Sequence, residues 1–168
     1  TNTYAAKVAE MLPSGTVIYT NNQLMGRGQR GNFWESAPGE NLTFSYLLKD
    51  TGIKPHRQFF ISEAVSLALV HALEEMAPDL LGRFTIKWPN DIYYGDKKIC
   101  GILIEHVLLG ENIKHSVIGV GVNVNQEEFL SDAPNPISLK QITKMQYNVE
   151  DALKLVCSQI ERHCNFEE

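Results

Sequence analysis

The sequence predicts an α+β fold, with one mixed, largely antiparallel sheet backed by helices on one face. Three observations predict it. Strand-like runs follow one another at hairpin spacing between residues 84 and 124. Two segments with helical apolar spacing, 56–76 and 149–163, flank that run. The strand–helix–strand alternation of a parallel sheet is missing. The chain has 168 residues, an ordinary length for one domain, so 1–168 is read as a single unit.

The elements follow in order. Residues 4–12 (YAAKVAEML) have helical apolar spacing and stop at Pro13. Residues 16–20 (TVIYT) are β-branched and aromatic, hence a strand. Residues 21–41 carry Gly26, Gly28, Gly31, Gly39 and Pro38 among polar residues, and read as one long loop. A loop of that length inside a compact domain is more often functional or mobile than idle. Residues 42–49 (LTFSYLLK) read as a strand. The run AVSLALVHAL makes the 56–76 helix apolar on most faces, so it is expected to be well buried. Strands follow at 84–88, 91–94 and 99–108, with turns at PN and GDKK. Residues 113–124 return from a turn at 110–112 as a hairpin, 138–145 suggest a short helix, and 149–163 form an amphipathic one.

Hydrophobic residues are 43% of the chain, enough for a sizeable core, and charged residues are 21%. The net charge is −5, whereas duplex-binding domains are ordinarily basic, so no nucleic-acid role is expected of this chain. No apolar run reaches about 18 residues, so no membrane span is expected. No charged-then-apolar leader pattern opens the sequence. Cys100, Cys157 and Cys164 have no CxxC spacing. Cys157 and Cys164 lie two helical turns apart, roughly 10 Å, too far for a disulfide. Scattered thiols of this kind fit a reducing compartment and a cytoplasmic location, with the thiols inert.

Gly26-Arg27-Gly28-Gln29-Arg30-Gly31 matches GxGxxG, but its context rejects a dinucleotide-binding turn. That turn needs a helix after the glycines, and Pro38 and Gly39 interrupt NFWESAPGEN within two turns. Composition alone leaves two readings of the stretch. Its glycines allow close backbone approach and its arginines bring planar donor forks, which suits an anion clamp; the alternative is a solvated loop. Lys87-Trp88-Pro89-Asn90-Asp91 ends one strand and starts the next. It reads either as a tight turn with a surface lysine, or as a strand-end cation facing a cleft.

Lys87–Asp91 followed by Gly101-Ile-Leu-Ile-Glu105 resembles the KWPND…GILxE signature of biotin–protein ligases. The stretch 26–31, Trp34, the run Gly119-Val-Gly121-Val-Asn123 and the opening Thr1-Asn2 resemble that family's other landmarks, in the same order. The resemblance covers nearly the whole chain and implies a class II aminoacyl-tRNA synthetase-like catalytic domain. It implies that Thr1, Asn2 and Gln23 supply polar groups for the biotin ureido ring. It implies that Arg27, Gly28 and Gln29 close over biotin and its carboxylate, and that Gly101 and Gly121 let strands approach the ligand. Arg30, Trp34 and Asn123 are implied on the ATP side, with Lys87 bridging the biotin carboxylate and the α-phosphate. Lys87 and Arg27 are the implied catalytic residues.

Two departures stand out. The family's serine before Thr-Asn would precede residue 1, and Gln29 stands where many relatives carry a further arginine, which removes one fixed charge near the phosphate. The family's small C-terminal β-barrel and the N-terminal DNA-binding domain of its repressor members are not expected in this chain. The implied activity is ATP-dependent joining of biotin, through biotinyl-5′-AMP and with Mg²⁺, to a lysine of a biotin carboxyl carrier protein. A homodimer built through a sheet is a family-based expectation. Two alternatives are carried: a lipoate–protein ligase with the same adenylate chemistry, and a biotin-sensing module without turnover.

The five histidines show no metal-ligand spacing, so no metal site is expected from the protein alone. A tight turn at 110–111 would set His106 opposite His115, as an ordinary hairpin face. Glu74-Glu75 and Glu127-Glu128 read as solvated surface. Phe59, Phe60, Tyr93 and Tyr94 read as core and sheet packing.

Overall fold

The computed structural model describes residues 1–133 and 135–166, with the backbone alone of Arg30. Strands β1 (Val17–Tyr19), β4 (Leu42–Lys49), β5 (Phe84–Lys87), β6 (Asp91–Tyr94), β7 (Lys97–Leu109) and β8 (Asn112–Val122) form one sheet in the order β1-β4-β8-β7-β6-β5. Every pairing of these strands is antiparallel, and the single parallel element among the described residues is an isolated Lys98–Pro136 bridge. The expected admixture of parallel strands is therefore nearly absent. Short turns join β5 through β8, and a hairpin return is antiparallel by geometry.

Alternation along the central strands makes two different faces. Leu42, Phe44, Tyr46 and Leu48 of β4 point toward helices α2 (Phe59–Met76) and α4 (Val149–His163), in the main core. Leu47 of β4 and Val117 of β8 point the other way and pack under Ala5 and Ala9, in and just after the short helix α1 (Asn2–Val8). β4 is buried on both faces because it is central. Helix α4 forms where its pattern predicts: Asn148 caps it by accepting from Asp151 N at 3.0 Å. Its buried Ala152, Val156 and Ile160 recur every four residues. The short helix α3 (Leu139–Thr143) starts with a capping box between Ser138 and Gln141.

Three expectations change. Residues 26–34 are not plain loop but a small hairpin of β2 (Gly26–Arg27) and β3 (Phe33–Trp34), separate from the main sheet. Strands of two residues are too short to show an alternation. Phe59 and Phe60 are 44% and 43% exposed, on the outward side of the first turn of α2, whose next residue Ile61 is fully buried in the core, and Arg57 stacks 4.5 Å over the Phe60 ring. A register shift between Val107 and Leu108 sets His106 opposite Ser116 and His115 opposite Val107, so the two histidines face opposite sides.

Burial holds the imidazoles of His106, His115 and His163 below their ordinary pKa, with the facing His71 also acting on His163. Each takes up its proton at lower pH in the fold than in the unfolded chain, which protonates near pH 6.5. The unfolded state then binds more protons, so stability is complete above about pH 6.5 and declines as pH falls below it. Urea-unfolding midpoints between pH 7.5 and 5.5 are expected to fall, and His163→Gln is expected to flatten the slope; midpoints flat with pH contradict this. Burial also raises the Cys157 thiol to about 11 and the Cys164 thiol to about 12, which agrees with inert free cysteines. No helix among the described residues is long and apolar enough to cross a membrane.

Candidate active site

Strands β4, β8 and β7 lie side by side at the centre of the sheet. Their register makes two rows on the face away from α2 and α4: Thr43–Gly121–Gly101 and Ser45–Gly119–Leu103. Five of these six residues are glycine, serine or threonine, so the rows form a hollow. Above it is a cavity of about 340 Å³, a size that suits a small molecule.

The β2–β3 hairpin roofs the cavity. Gly28 N donates to Asn32 O at 2.6 Å and closes the hairpin turn. Arg27, Gly28 and Gln29 line the cavity along with Asn32 and Phe33. The roof is tied down at two points. Gln29 Nε2 donates to Oδ1 of the buried Asn90 at 3.1 Å, which joins the hairpin to the Lys87–Asp91 turn. Arg27 Nη2 donates to Thr3 Oγ1 at 3.2 Å and lies 3.7 Å from Glu105 Oε2. Gln29 thus gives the roof an uncharged link to the turn. Arg30 has its backbone in the 3-10 turn Gln29–Gly31, and its side chain lies outside the described residues.

Protein side chains meet the glycine floor. A Cβ on Gly121 would stand 2.4 Å from Trp34 Cε2, and one on Gly101 would stand 3.0 Å from Trp34 Cζ3. The indole therefore lies flat against the sheet where any larger residue would evict it. Its Nε1 is buried with no hydrogen-bond partner among the described residues. A Cβ on Gly119 would stand 2.5 Å from Asn2 Oδ1. Thr1 and Asn2 enter the cavity from the start of α1, and Gln23 from the segment before the hairpin. Substituting Gly121 by alanine is expected to displace Trp34 at a cost of about 1–3 kcal/mol. The other tryptophan, Trp88, is already 79% exposed, so a red shift of the emission maximum would report Trp34. An unchanged spectrum contradicts the packing.

The cations are distributed unevenly. Lys98 lines the cavity, with Nζ 2.6 Å from Asp91 Oδ2 and 5.8 Å from the Trp34 ring. Lys87 is exposed at the end of β5, with its ammonium 3.9 Å over the Tyr93 ring, and it does not line the cavity. Asn123 does not line it either. It is buried behind Lys98, with Nδ2 3.5 Å from Lys98 O. The structure thus gathers Thr1, Asn2, Gln23, Arg27, Gly28, Gln29, Trp34, Gly101 and Gly121 around one cavity, and holds Lys87 and Asn123 just outside it.

Sequence reasoning missed Lys98, Asp91, Ser45 and Glu105 as members of this region. Lys98 was visible only as part of a GDKK turn. Ser45 and Glu105 carried a usable signal: counting by twos from Gly101 reaches Glu105, and counting by twos from Thr43 reaches Ser45. No group of three or more His, Cys, Asp or Glu that could hold a metal exists among the described residues.

Comparison with known proteins identifies the family. The model of the Biotin/lipoate A/B protein ligase family matches residues 1–123. The bifunctional ligase/repressor BirA of Bacillus subtilis is 35% identical over 116 residues, 68% of this chain and 34% of that protein. The biotin–[acetyl-CoA-carboxylase] ligase of Paracoccus denitrificans is 33% identical over 124 residues, 74% of this chain and 50% of that one. The chain thus spans a third to a half of the length of these relatives. The biotin protein ligase from Aquifex aeolicus, solved in complex with biotin and ATP, is 28% identical with a TM-score of 0.79, covering 95% of this chain and 65% of that one. With the family's model matched over most of its length, the chain belongs to the biotin/lipoate A/B protein ligase family.

Proposed function

We propose that this chain activates biotin with ATP to biotinyl-5′-AMP and passes the biotinyl group to a lysine of a biotin carboxyl carrier domain. The observation that carries the reading is the convergence of the glycine–arginine hairpin, the Thr1-Asn2 pair and the glycine floor on one cavity. The Aquifex aeolicus relative with biotin and ATP bound supports it.

The chemistry explains what such a cavity needs. A carboxylate does not acylate an amine at neutral pH, so it must first become a mixed anhydride. The biotin carboxylate attacks the α-phosphorus of ATP; the new O–P bond forms as the bond to pyrophosphate breaks. Two anions approach, so fixed positive charge between them lowers the barrier. Among the described side chains, Arg27 in the roof, Lys98 in the wall and Lys87 at the end of β5 are cations within or beside the cavity. Trp34 is available to stack on or wall off the adenine. Asp91, the one carboxylate lining the cavity among the described residues, would together with phosphate oxygens hold Mg²⁺, which would supply charge to the leaving pyrophosphate. In the second half-reaction the carrier lysine attacks the acyl carbon and AMP leaves. Water also attacks an exposed adenylate, and the hairpin covers the cavity against it.

The test is competition between labelled biotin and labelled lipoate, each with ATP. Label is expected to be activated from biotin with a preference of 100-fold or more, of the size a polar-lined pocket gives. Preferential activation of lipoate overturns the biotin reading. Tight biotin binding without any pyrophosphate release points to a sensor.

A further inference from the structure

We propose that Glu105 sets the direction of the hydrogen bonds in the cavity floor, so that the Thr1 hydroxyl faces the cavity as an acceptor and selects a ligand ring bearing an N–H. The inference rests on the biotin reading and names the residue that makes the site discriminate.

Glu105 sits on the cavity face of β7, one row beyond Leu103, without lining the cavity. Its Oε2 accepts from Asn2 Nδ2 at 2.8 Å and lies 3.7 Å from Arg27. The other amide hydrogen of Asn2 goes to Leu103 O at 3.2 Å. A carboxylate and a carbonyl only accept, so the amide nitrogen must face them and Oδ1 must face away. Gly119 makes room for that pose, since a Cβ there would strike Oδ1 at 2.5 Å, so the amide rests directly on the strand.

The consequence runs outward through hydroxyls. Asn2 Oδ1 lies 2.5 Å from Ser45 Oγ, and because Oδ1 cannot donate, Ser45 does. Ser45 Oγ also lies 2.7 Å from Thr1 Oγ1. Its single proton is already committed to Asn2, so Thr1 must donate to Ser45. Ser45 is fully buried, and water does not supply another partner. The Thr1 proton is spent inside the protein, and Thr1 offers the cavity only lone pairs. A cyclic urea presents an N–H to them. A dithiolane ring presents nothing, and a ring oxygen presents lone pairs that repel. Glu105 is thus a positioning residue for specificity, acting through Asn2, Ser45 and Thr1. Glutamine at the same place can turn its N–H₂ toward Asn2, which leaves the Leu103 carbonyl alone to hold the amide in its sense and weakens the order of the chain.

The test compares affinities for biotin and for its cyclic-carbamate analogues, in which one ring N–H is replaced by O. Calorimetric titration is carried out on the wild type, Glu105→Gln, Ser45→Ala and the double variant. The wild type is expected to prefer biotin over at least one carbamate by about 100-fold. Glu105→Gln and Ser45→Ala are each expected to reduce that preference at least tenfold, and the double variant no further. A wild-type preference retained in Glu105→Gln overturns the proposal, as does full additivity in the double variant. If Glu105→Gln fails to fold, a retained preference in Ser45→Ala overturns it alone. A wild type that binds no biotin overturns the reading of the site instead, which separates the two failures.

Discussion

Replacing Lys87 by alanine is expected to lower biotin-dependent ATP–pyrophosphate exchange by about 100-fold or more. Adenylate formation brings a carboxylate against a phosphate, and no general acid or base is needed if positive charge is fixed between them. Of the two lysines beside the cavity, Lys98 is already balanced by Asp91 at 2.6 Å. The Lys87 ammonium instead lies over the Tyr93 ring, and its four-carbon stem can carry it to an anion in the cavity. Leaving an aromatic face costs less than leaving a carboxylate, about 0.5–1 kcal/mol at an exposed site. The same exchange assay on Lys98→Ala is the natural control. If Lys87→Ala keeps nearly full exchange while Lys98→Ala loses it, the charge role belongs to Lys98.

Gly119→Ala is expected to weaken biotin binding by about 100-fold, read by calorimetric titration. The added Cβ would stand 2.5 Å from Oδ1, 2.8 Å from Nδ2 and 2.9 Å from Cγ of Asn2, so the whole amide has to move. Moving it breaks its bonds to Ser45, Leu103 and Glu105, each worth about 1 kcal/mol, and the bond to the carboxylate more. The residue above, Ala5, packs on Leu47 and Val117, so α1 cannot simply lift away. A Gly119→Ala variant that binds biotin like the wild type shows that Asn2 has no part in the site.

Much of this architecture was legible in the sequence, for identifiable reasons. β4 and α4 begin and end where their residue patterns do, because an alternating β-prone run and a capped amphipathic repeat are strong local signals. The β2–β3 hairpin was invisible because two-residue strands have no period, and its position over the cavity depends on Gln29 reaching Asn90, 61 positions away. Glycines 101 and 121 stood out as places of close approach, yet what approaches them is Trp34. Which side chain of a floor meets which glycine is decided by strand register, and a single bulge such as that at Val107 resets it. The partition of positive charge between Lys87 and Lys98 likewise depended on where Asp91 and Tyr93 point, which the KWPND turn and the GDKK turn do not encode separately.

The most direct test of the account is ATP-dependent transfer of labelled biotin by the purified chain to a biotin carboxyl carrier domain. Label is expected to become covalently attached to the carrier, to require ATP, and to release one pyrophosphate for each biotin joined. Absence of both label transfer and pyrophosphate release, in a chain that remains folded and supplied with Mg²⁺, contradicts it.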